Sequence, residues 1–392
     1  MSVIFPNGFV WGVASAAHQI EGGNWNNDWW AFEHQPGTPC KEPSGDCCDS
    51  YHRYAEDIAL VREFGFGSYR FSIEWSRIEP EDGEFSRAAL DYYRRVLAEC
   101  HQQGVLPVVT FHHFTTPRWM AALGGWESGL VVDRFARFCE RAAGALGDLV
   151  SMGCTINEPN ALSIVGYVLG AFPPGRSDFD AYARVNANLI AAHRRAYDVL
   201  KAGPGDFPVG ITVAMGDWWA PDDGQEVLAK ARHTHEGQFL EAARGDDFVG
   251  VQAYSRTRLD ARGMPLGPAD GVDLVPSMGY EYWPQALEVS IRYAADTART
   301  PIYVTENGLG HDDDTRRIAF VTDALHGLDR CLADGIDVRG YFYWSLTDNF
   351  EWAFGYGPRF GLVEVDRTTF VRTPKPSAAW LGAIARANRI DT

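Results

Sequence analysis

Residues 68–111 read SYRFSIEWSRIEPEDGEFSRAALDYYRRVLAECHQQGVLPVVTF. The runs at 68–72 and 106–111 are short and strand-like. Between them Leu90, Tyr93, Val96, Leu97 and Cys100 recur at the spacing of one helix face and stop before Gly104. This strand–helix–strand alternation continues in both directions. Further strand-like runs lie at 9–14, 153–157, 209–213, 248–252, 302–306 and 338–345. Further helix faces are Tyr54, Ile58, Val61 and Phe64, stopping at Gly65, and Ile318, Val321, Leu325, Leu328 and Leu332, stopping before Gly335. Eight strand candidates, in a chain longer than the roughly 250 residues such a design needs, predict a (β/α)8 TIM barrel with enlarged βα loops. An open doubly wound sheet is the alternative. No repeated block, low-complexity tract or Ser/Gly-rich linker divides the chain, so residues 1–392 are read as a single domain.

Composition narrows the function. The chain has 35 Lys plus Arg against 52 Asp plus Glu, a net charge of −17, which disfavours nucleic acid and anionic lipid as partners. The longest apolar runs fall short of the roughly 18 residues that span a bilayer. A small, neutral substrate fits this balance better, and 13 tryptophans offer flat surfaces that suit sugar rings as well as a core. Seven cysteines without a C-x-x-C spacing read as reduced, buried thiols, with neither a disulfide framework nor a zinc ribbon. The opening stretch MSVIFPNGFVWGVASAA lacks a basic n-region, which gives a cytoplasmic reading. Nothing in the residues sets an oligomeric state.

In a TIM barrel the residues just beyond the C-terminal strand ends face the active site. Here these are Gln19 and Glu21, Glu74, His112 and His113, Asn157 and Glu158, Gln252 and Tyr254, Glu306 and Asn307, and Asp348, Asn349 and Glu351. The chain has no G-x-S-x-G elbow, phosphate-binding loop, dinucleotide fingerprint or H-E-x-x-H. His112-His113 and His233-Thr234-His235 are read as hydrogen-bonded structural histidines rather than metal ligands, and Asp312-Asp313-Asp314 as a solvated surface run. A pair of glutamates remains. Glu158 stands in Thr155-Ile156-Asn157-Glu158-Pro159 and Glu306 in Val304-Thr305-Glu306-Asn307-Gly308, each at the end of a strand-like run. Two carboxyl groups on opposite strands can flank one glycosidic bond, one protonating the leaving oxygen while the other attacks or stabilises the anomeric carbon.

The motifs around this pair carry a resemblance that runs nearly end to end. In order they are Phe9-Val10-Trp11-Gly12, Gln19-Ile20-Glu21-Gly22, Tyr51-His52-Arg53-Tyr54 with Glu56-Asp57, and Tyr69-Arg70-Phe71-Ser72-Ile73-Glu74-Trp75-Ser76-Arg77. Thr155 to Pro159, Phe172-Pro173-Pro174-Gly175, Thr305 to Gly308 and Trp344-Ser345-Leu346 with Asp348-Asn349-Phe350-Glu351-Trp352 follow, then Arg359-Phe360-Gly361-Leu362 and Thr373-Pro374-Lys375. The sequence resembles glycoside hydrolase family 1, the β-glucosidase and β-galactosidase family. The resemblance implies a retaining, two-step β-glycosidase with Glu158 as acid/base and Glu306 as nucleophile, needing no metal or cofactor. It places Arg70 and Tyr254 against Glu306, Asn157 on the sugar 2-hydroxyl, Gln19, His113, Glu351 and Trp352 on the other hydroxyls, and Trp344 under the ring.

Glu351 replaces the serine of members that act on sugar 6-phosphates, residues 350–361 contain no lysine, and Glu158 replaces the glutamine of the thioglucosidase branch. The implied substrate is therefore a non-phosphorylated small-molecule β-O-glycoside or oligosaccharide, most simply a β-glucoside. Three positions depart from the family. Phe114 brings a ring to the sugar without the usual indole N–H, Gln252 stands for an asparagine, and His18 for a tyrosine. A transglycosidase of the same fold and a sugar-binding barrel without turnover are the alternatives.

Overall fold

The computed structural model describes residues 3–390. Among these, eight parallel strands close into a barrel: β1 (Val10–Ala14), β2 (Ser68–Ser72), β3 (Leu106–His112), β4 (Met152–Asn157), β5 (Val209–Trp219), β6 (Phe248–Leu259), β7 (Ile302–Asn307) and β8 (Val338–Trp344). Each pairs with the next, and β8 returns to β1 through Gly340–Val10 to Trp344–Ala14. The doubly wound alternative falls because β7 pairs on both sides, with β6 and β8, leaving the sheet no edge. The main difference from the sequence reading is length. β5 and β6 outrun the barrel and stay paired as far as Trp219 with Arg258, because that stretch is stabilised by its partner strand rather than by an apolar run of its own.

Helices α1 (Ser50–Phe64), α2 (Arg87–Gln102), α3 (Leu130–Leu146), α4 (Phe179–Ala202), α5 (225–242), α6 (Ala286–Ala298), α7 (Asp314–Ala333) and α8 (Pro376–Ala387) ring the barrel. On α2 the buried face is Ala89, Tyr92, Tyr93, Val96, Leu97 and Cys100, with Leu90 at its margin. The glycine stops are real. Gly65, Gly104 and Gly335 all have positive φ, and each is followed by an N–H that reaches back to a carbonyl in the last helical turn, Phe66 to Val61, Val105 to Cys100 and Ile336 to Cys331.

Period-two alternation divides the strand side chains into two apolar layers. Trp11, Val13, Tyr69, Phe71, Val109, Phe111, Tyr341 and Tyr343 pack outward under the helices. Val108, Cys154, Phe248, Phe342 and Trp344 form a separate cluster that fills the barrel. Six of the seven cysteines are buried free thiols, and Cys40 is half-buried. Asp312 is exposed, as expected of a surface run, but its neighbours have structural duties. Asp313 caps α7 at Thr315 N–H, 2.9 Å, and Asp314 holds Arg317 and the start of α8 at Ser377. No helix of the described residues is long and apolar enough to cross a membrane.

The chain ends are tied beneath the barrel. Strand Val3–Ile4 pairs with Arg389–Ile390, and Asn388 bonds both Trp11 Nε1 at 2.9 Å and the Phe5 carbonyl at 2.9 Å. At α1, the buried Arg372 guanidinium grips the Asp57 carboxylate with bonds of 2.9 and 3.1 Å, and Ser50 Oγ, at the start of that helix, donates to the same carboxylate at 2.7 Å. Removing one member of a buried pair strands the other charge at about 3–5 kcal/mol. Arg372→Ala should therefore lower thermal stability by about that amount, and the double variant Asp57→Asn/Arg372→Met should regain most of it, as read by circular dichroism melting.

Candidate active site

Glu158, Glu306, His113, Phe114, Asn157, Tyr254, Trp344, Glu351 and Trp352 line one cavity of about 560 Å³ at the C-terminal end of the barrel. Arg70 and Gln19 are wholly buried just behind its wall. All eleven candidate side chains thus gather at one place.

Two breaks in strand register aim the key residues. Cys154 on β4 packs into the barrel, so strict alternation would turn Asn157, three residues on, outward. Tyr303 and Glu306 on β7 stand in the same relation. The pairing register shifts between Cys154 and Asn157 and again between Val304 and Glu306, and both later residues reach the inner face. Such irregularities re-aim side chains at barrel rims. Immediately after β4, Glu158 adopts φ 42°, ψ 57°, unusual for a residue other than glycine. It precedes Pro159 at the start of helix Pro159–Tyr167 without capping it, so its carboxyl stays available to the cavity.

Glu306 is held by three donors. Arg70 Nη1 donates to Oε1 at 2.5 Å, Gln252 Nε2 to Oε1 at 2.8 Å, and Tyr254 OH to Oε2 at 2.7 Å. Arg70 Nη2 and Gln252 Nε2 also donate to Asn157 Oδ1, at 2.5 and 2.9 Å, which ties the two strand ends together. Gln252, read from sequence as a strand-end residue and as a departure from the family but given no role, is therefore part of the site. Its position at the end of the sixth strand was the available signal.

Burial raises the pKa of Glu306, while the Arg70 charge and the three hydrogen bonds pull it back. The Glu158 carboxyl has no hydrogen bond among the described residues. Burial and then the negative charge of Glu306 lift it well above the usual carboxylate range, with Arg70 opposing and Glu351 adding to the rise. Of the two, Glu158 is the one that keeps the proton. Burial, then the charge of Glu306, pushes Glu351 up to about 8.

His113 is buried and neutral, its pKa driven well down by burial and by the Arg70 charge. Its ring lies within 17° of the Trp344 plane and 13° of Trp352, and Asn157 Nδ2 meets its Nε2 at 3.2 Å. Gln19 Nε2 donates to the Phe350 carbonyl at 2.8 Å and to Glu351 Oε2 at 3.4 Å, leaving Oε1 free for a donor. His112 sits behind the cavity against Trp126 and Phe135, and burial lowers its pKa to about 3.

Four of the strand-end residues prove to be scaffold. Glu21 pairs with Arg77 at 2.8 Å, Glu74 takes hydrogen bonds from Asn24 and Thr115, Asn307 from Tyr341, and Asp348 pairs with Lys375 at 2.8 Å. Trp218, His235 and Arg256 also line the cavity, and sequence reasoning passed over them as site residues. His233 faces Glu241 on the surface, and no three metal-ligating side chains cluster among the described residues.

The profile of Glycosyl hydrolase family 1 matches residues 1–261 and 271–390. The chain belongs to that family. Among family 1 relatives, Beta-glucosidase A of Thermotoga maritima is 32% identical over 445 aligned positions that cover 99% of each chain. The solved structure of the β-glycosidase BGL167 is 48% identical, covers 97% of each chain and superposes with a TM-score of 0.91. The β-glycosidase from Pyrococcus horikoshii is 34% identical, with a TM-score of 0.93 over 100% of this chain and 97% of that one.

The electrostatics give a direct check. Replacing Glu306 with glutamine removes the anion that raises Glu158, so the protonation midpoint of Glu158 should fall. NMR of ¹³C-labelled glutamate carboxyls across a pH series reads the sign. An unchanged or rising midpoint would show that the two groups do not share a field.

Proposed function

We propose that this family 1 chain hydrolyses non-phosphorylated β-O-glycosides, β-glucosides foremost, with Glu306 as nucleophile and Glu158 as acid/base. One observation carries the reading. A carboxylate gripped by three donors from two strands faces, across one cavity, a carboxyl that has no partner and holds its proton.

Glu306 Oε2 accepts one hydrogen bond against two at Oε1, so it keeps a lone pair for the anomeric carbon. As the new C–O bond forms, the bond to the leaving oxygen breaks and Glu158 delivers its proton there. The glycosyl ester neutralises Glu306, and the pKa of Glu158 falls with the loss of that charge. Glu158, now a carboxylate, takes a proton from water, whose oxygen attacks the anomeric carbon and displaces Glu306. Two inversions give net retention. Asn157 lies where a sugar 2-hydroxyl would strengthen its bond as positive charge develops. Trp344, Trp352, Glu351, Gln19 and His113 address the rest of the ring, and Phe114 offers an apolar edge.

Exclusion of phosphorylated sugars rests on the lack of a free cation, since Arg256 on the cavity wall is paired with Glu281. Residues 350–361 have no lysine, and their one arginine, Arg359, is exposed and faces Asp312 and Glu364. Unpaired thiols at all seven cysteines support a cytoplasmic location.

The test is release of chromophore from an aryl β-glucoside. Wild type should turn over with the β-anomer as first product by ¹H NMR, and should ignore the 6-phosphate. Glu306→Gln should abolish turnover, and Glu158→Gln should lower it by about 10²–10⁴-fold. Equal, negligible release by wild type and Glu306→Gln would refute the assignment.

A further inference from the structure

One wall of the cavity is braced by groups that the steps above do not use. Trp352, which lines the cavity, adopts φ 51°, a left-handed backbone that a residue other than glycine holds only under constraint. Three rings constrain its indole. His18 lies within 8° of the indole plane with centroids 5.8 Å apart, His113 within 13° at 6.0 Å, and Phe114 meets it edge-on at 5.1 Å. His113 and Phe114 share the cavity lining, whereas His18 is buried outside it and touches no substrate.

The plane of the His18 ring is set by hydrogen bonds rather than by packing alone. Asn27 Oδ1 accepts from Trp30 N–H at 2.8 Å, so its Nδ2 is the group that faces His18 Nδ1 at 3.0 Å. Asn24 Oδ1 accepts from Ser76 Oγ at 3.3 Å and its Nδ2 donates to Glu74 Oε2 at 2.7 Å, which leaves the second Nδ2 hydrogen for the same Nδ1 at 3.3 Å. Nδ1 therefore accepts from two amides, and the ring proton sits on Nε2. That nitrogen faces Glu33 Oε2 at 3.6 Å, both side chains being wholly buried, and Glu33 Oε1 takes a bond from Ser44 Oγ at 2.6 Å. A ring turned over would set Cδ2–H against the two amide donors. One orientation of the imidazole is thus selected, which a plain hydrocarbon ring in the same space would not be.

The network also reaches the other rings on the indole. Glu74 accepts from Thr115 Oγ1 at 2.9 Å, and Thr115 N–H donates to the His113 carbonyl at 2.9 Å. The turn that carries His113 and Phe114 is in this way tied through Glu74 and Asn24 to His18.

We infer that His18 is a positioning residue, whose pinned ring sets the plane of Trp352 and so the direction in which the indole N–H is offered to the sugar. This rests on the reading of Trp352 as a sugar contact, and the test separates the two. Turnover of an aryl β-glucoside is measured for wild type, His18→Phe, Trp352→Phe and the double variant. His18→Phe should lower kcat/KM about three- to tenfold, the loss expected when one hydrogen bond is misdirected. In the Trp352→Phe background the same change should cost less than about twofold. Asn27→Ser keeps a helix cap while withdrawing an amide from Nδ1, and should show a smaller loss with the same dependence on Trp352, carrying the cycle if His18→Phe does not fold. The Trp352 indole Nε1–H resonance, assigned by its disappearance in Trp352→Phe, should move or broaden in both variants in ¹H–¹⁵N spectra. Unchanged kcat/KM, equal losses in the two backgrounds, or an unmoved resonance overturns the positioning role. A wild type inactive on the glucoside whose resonance responds to these variants overturns the glycosidase reading and upholds the hold of His18 on Trp352.

Discussion

The site is organised around one buried cation. Arg70 lies inside the barrel with none of its side chain exposed, and moving a guanidinium there costs several kcal/mol unless an anion and hydrogen bonds replace water. Glu306 is that anion, and Asn157 accepts the second bond. Because Arg70 keeps Glu306 as the charged member, the proton of the pair belongs to Glu158, and the same anion helps to raise Glu351. A structural requirement of the barrel interior thus distributes protons over three carboxyl groups in the way a two-step displacement uses them.

The aromatic wall shows how departures from the family pattern are absorbed. His18, in place of a tyrosine, lies within 8° of the Trp352 plane. Its Nδ1 accepts from Asn27 Nδ2 at 3.0 Å, an orientation fixed because Asn27 Oδ1 caps the next helix at Trp30 N–H, 2.8 Å. Phe114 meets Trp352 and Phe172 edge to face, with centroids 5.1 and 5.3 Å apart. It keeps the packing of an aromatic ring while giving up a hydrogen-bond donor. Gln252 spans from Asn157 to Glu306 with one amide nitrogen. The three substitutions leave the grip on the carboxylate intact, and Phe114 and Gln252, which line the cavity, alter the polar surface it presents.

What could be read from residues alone was what local chemistry decides. Helix α2 was legible because Tyr93, Val96, Leu97 and Cys100 mark one face and Gly104 accepts a positive φ that other residues resist. The barrel followed from counting such units, and the two glutamates from the motifs around them.

Strand-end position alone did not separate Glu158 and Glu306 from Glu21, Glu74 and Asp348, which end strands in the same way yet serve as scaffold; only the motifs around them did. The difference in the structure lies in partners that arrive from distant segments, Arg77 for Glu21, Lys375 for Asp348 and Arg70 for Glu306. Nor could sequence show that β4 and β7 slip register before Asn157 and Glu306, since a slip is a relation between neighbouring strands. Periodicity and turn chemistry are local and survive in one dimension. Side-chain direction at the barrel rim, and the charge state it imposes, exist only once the strands have met.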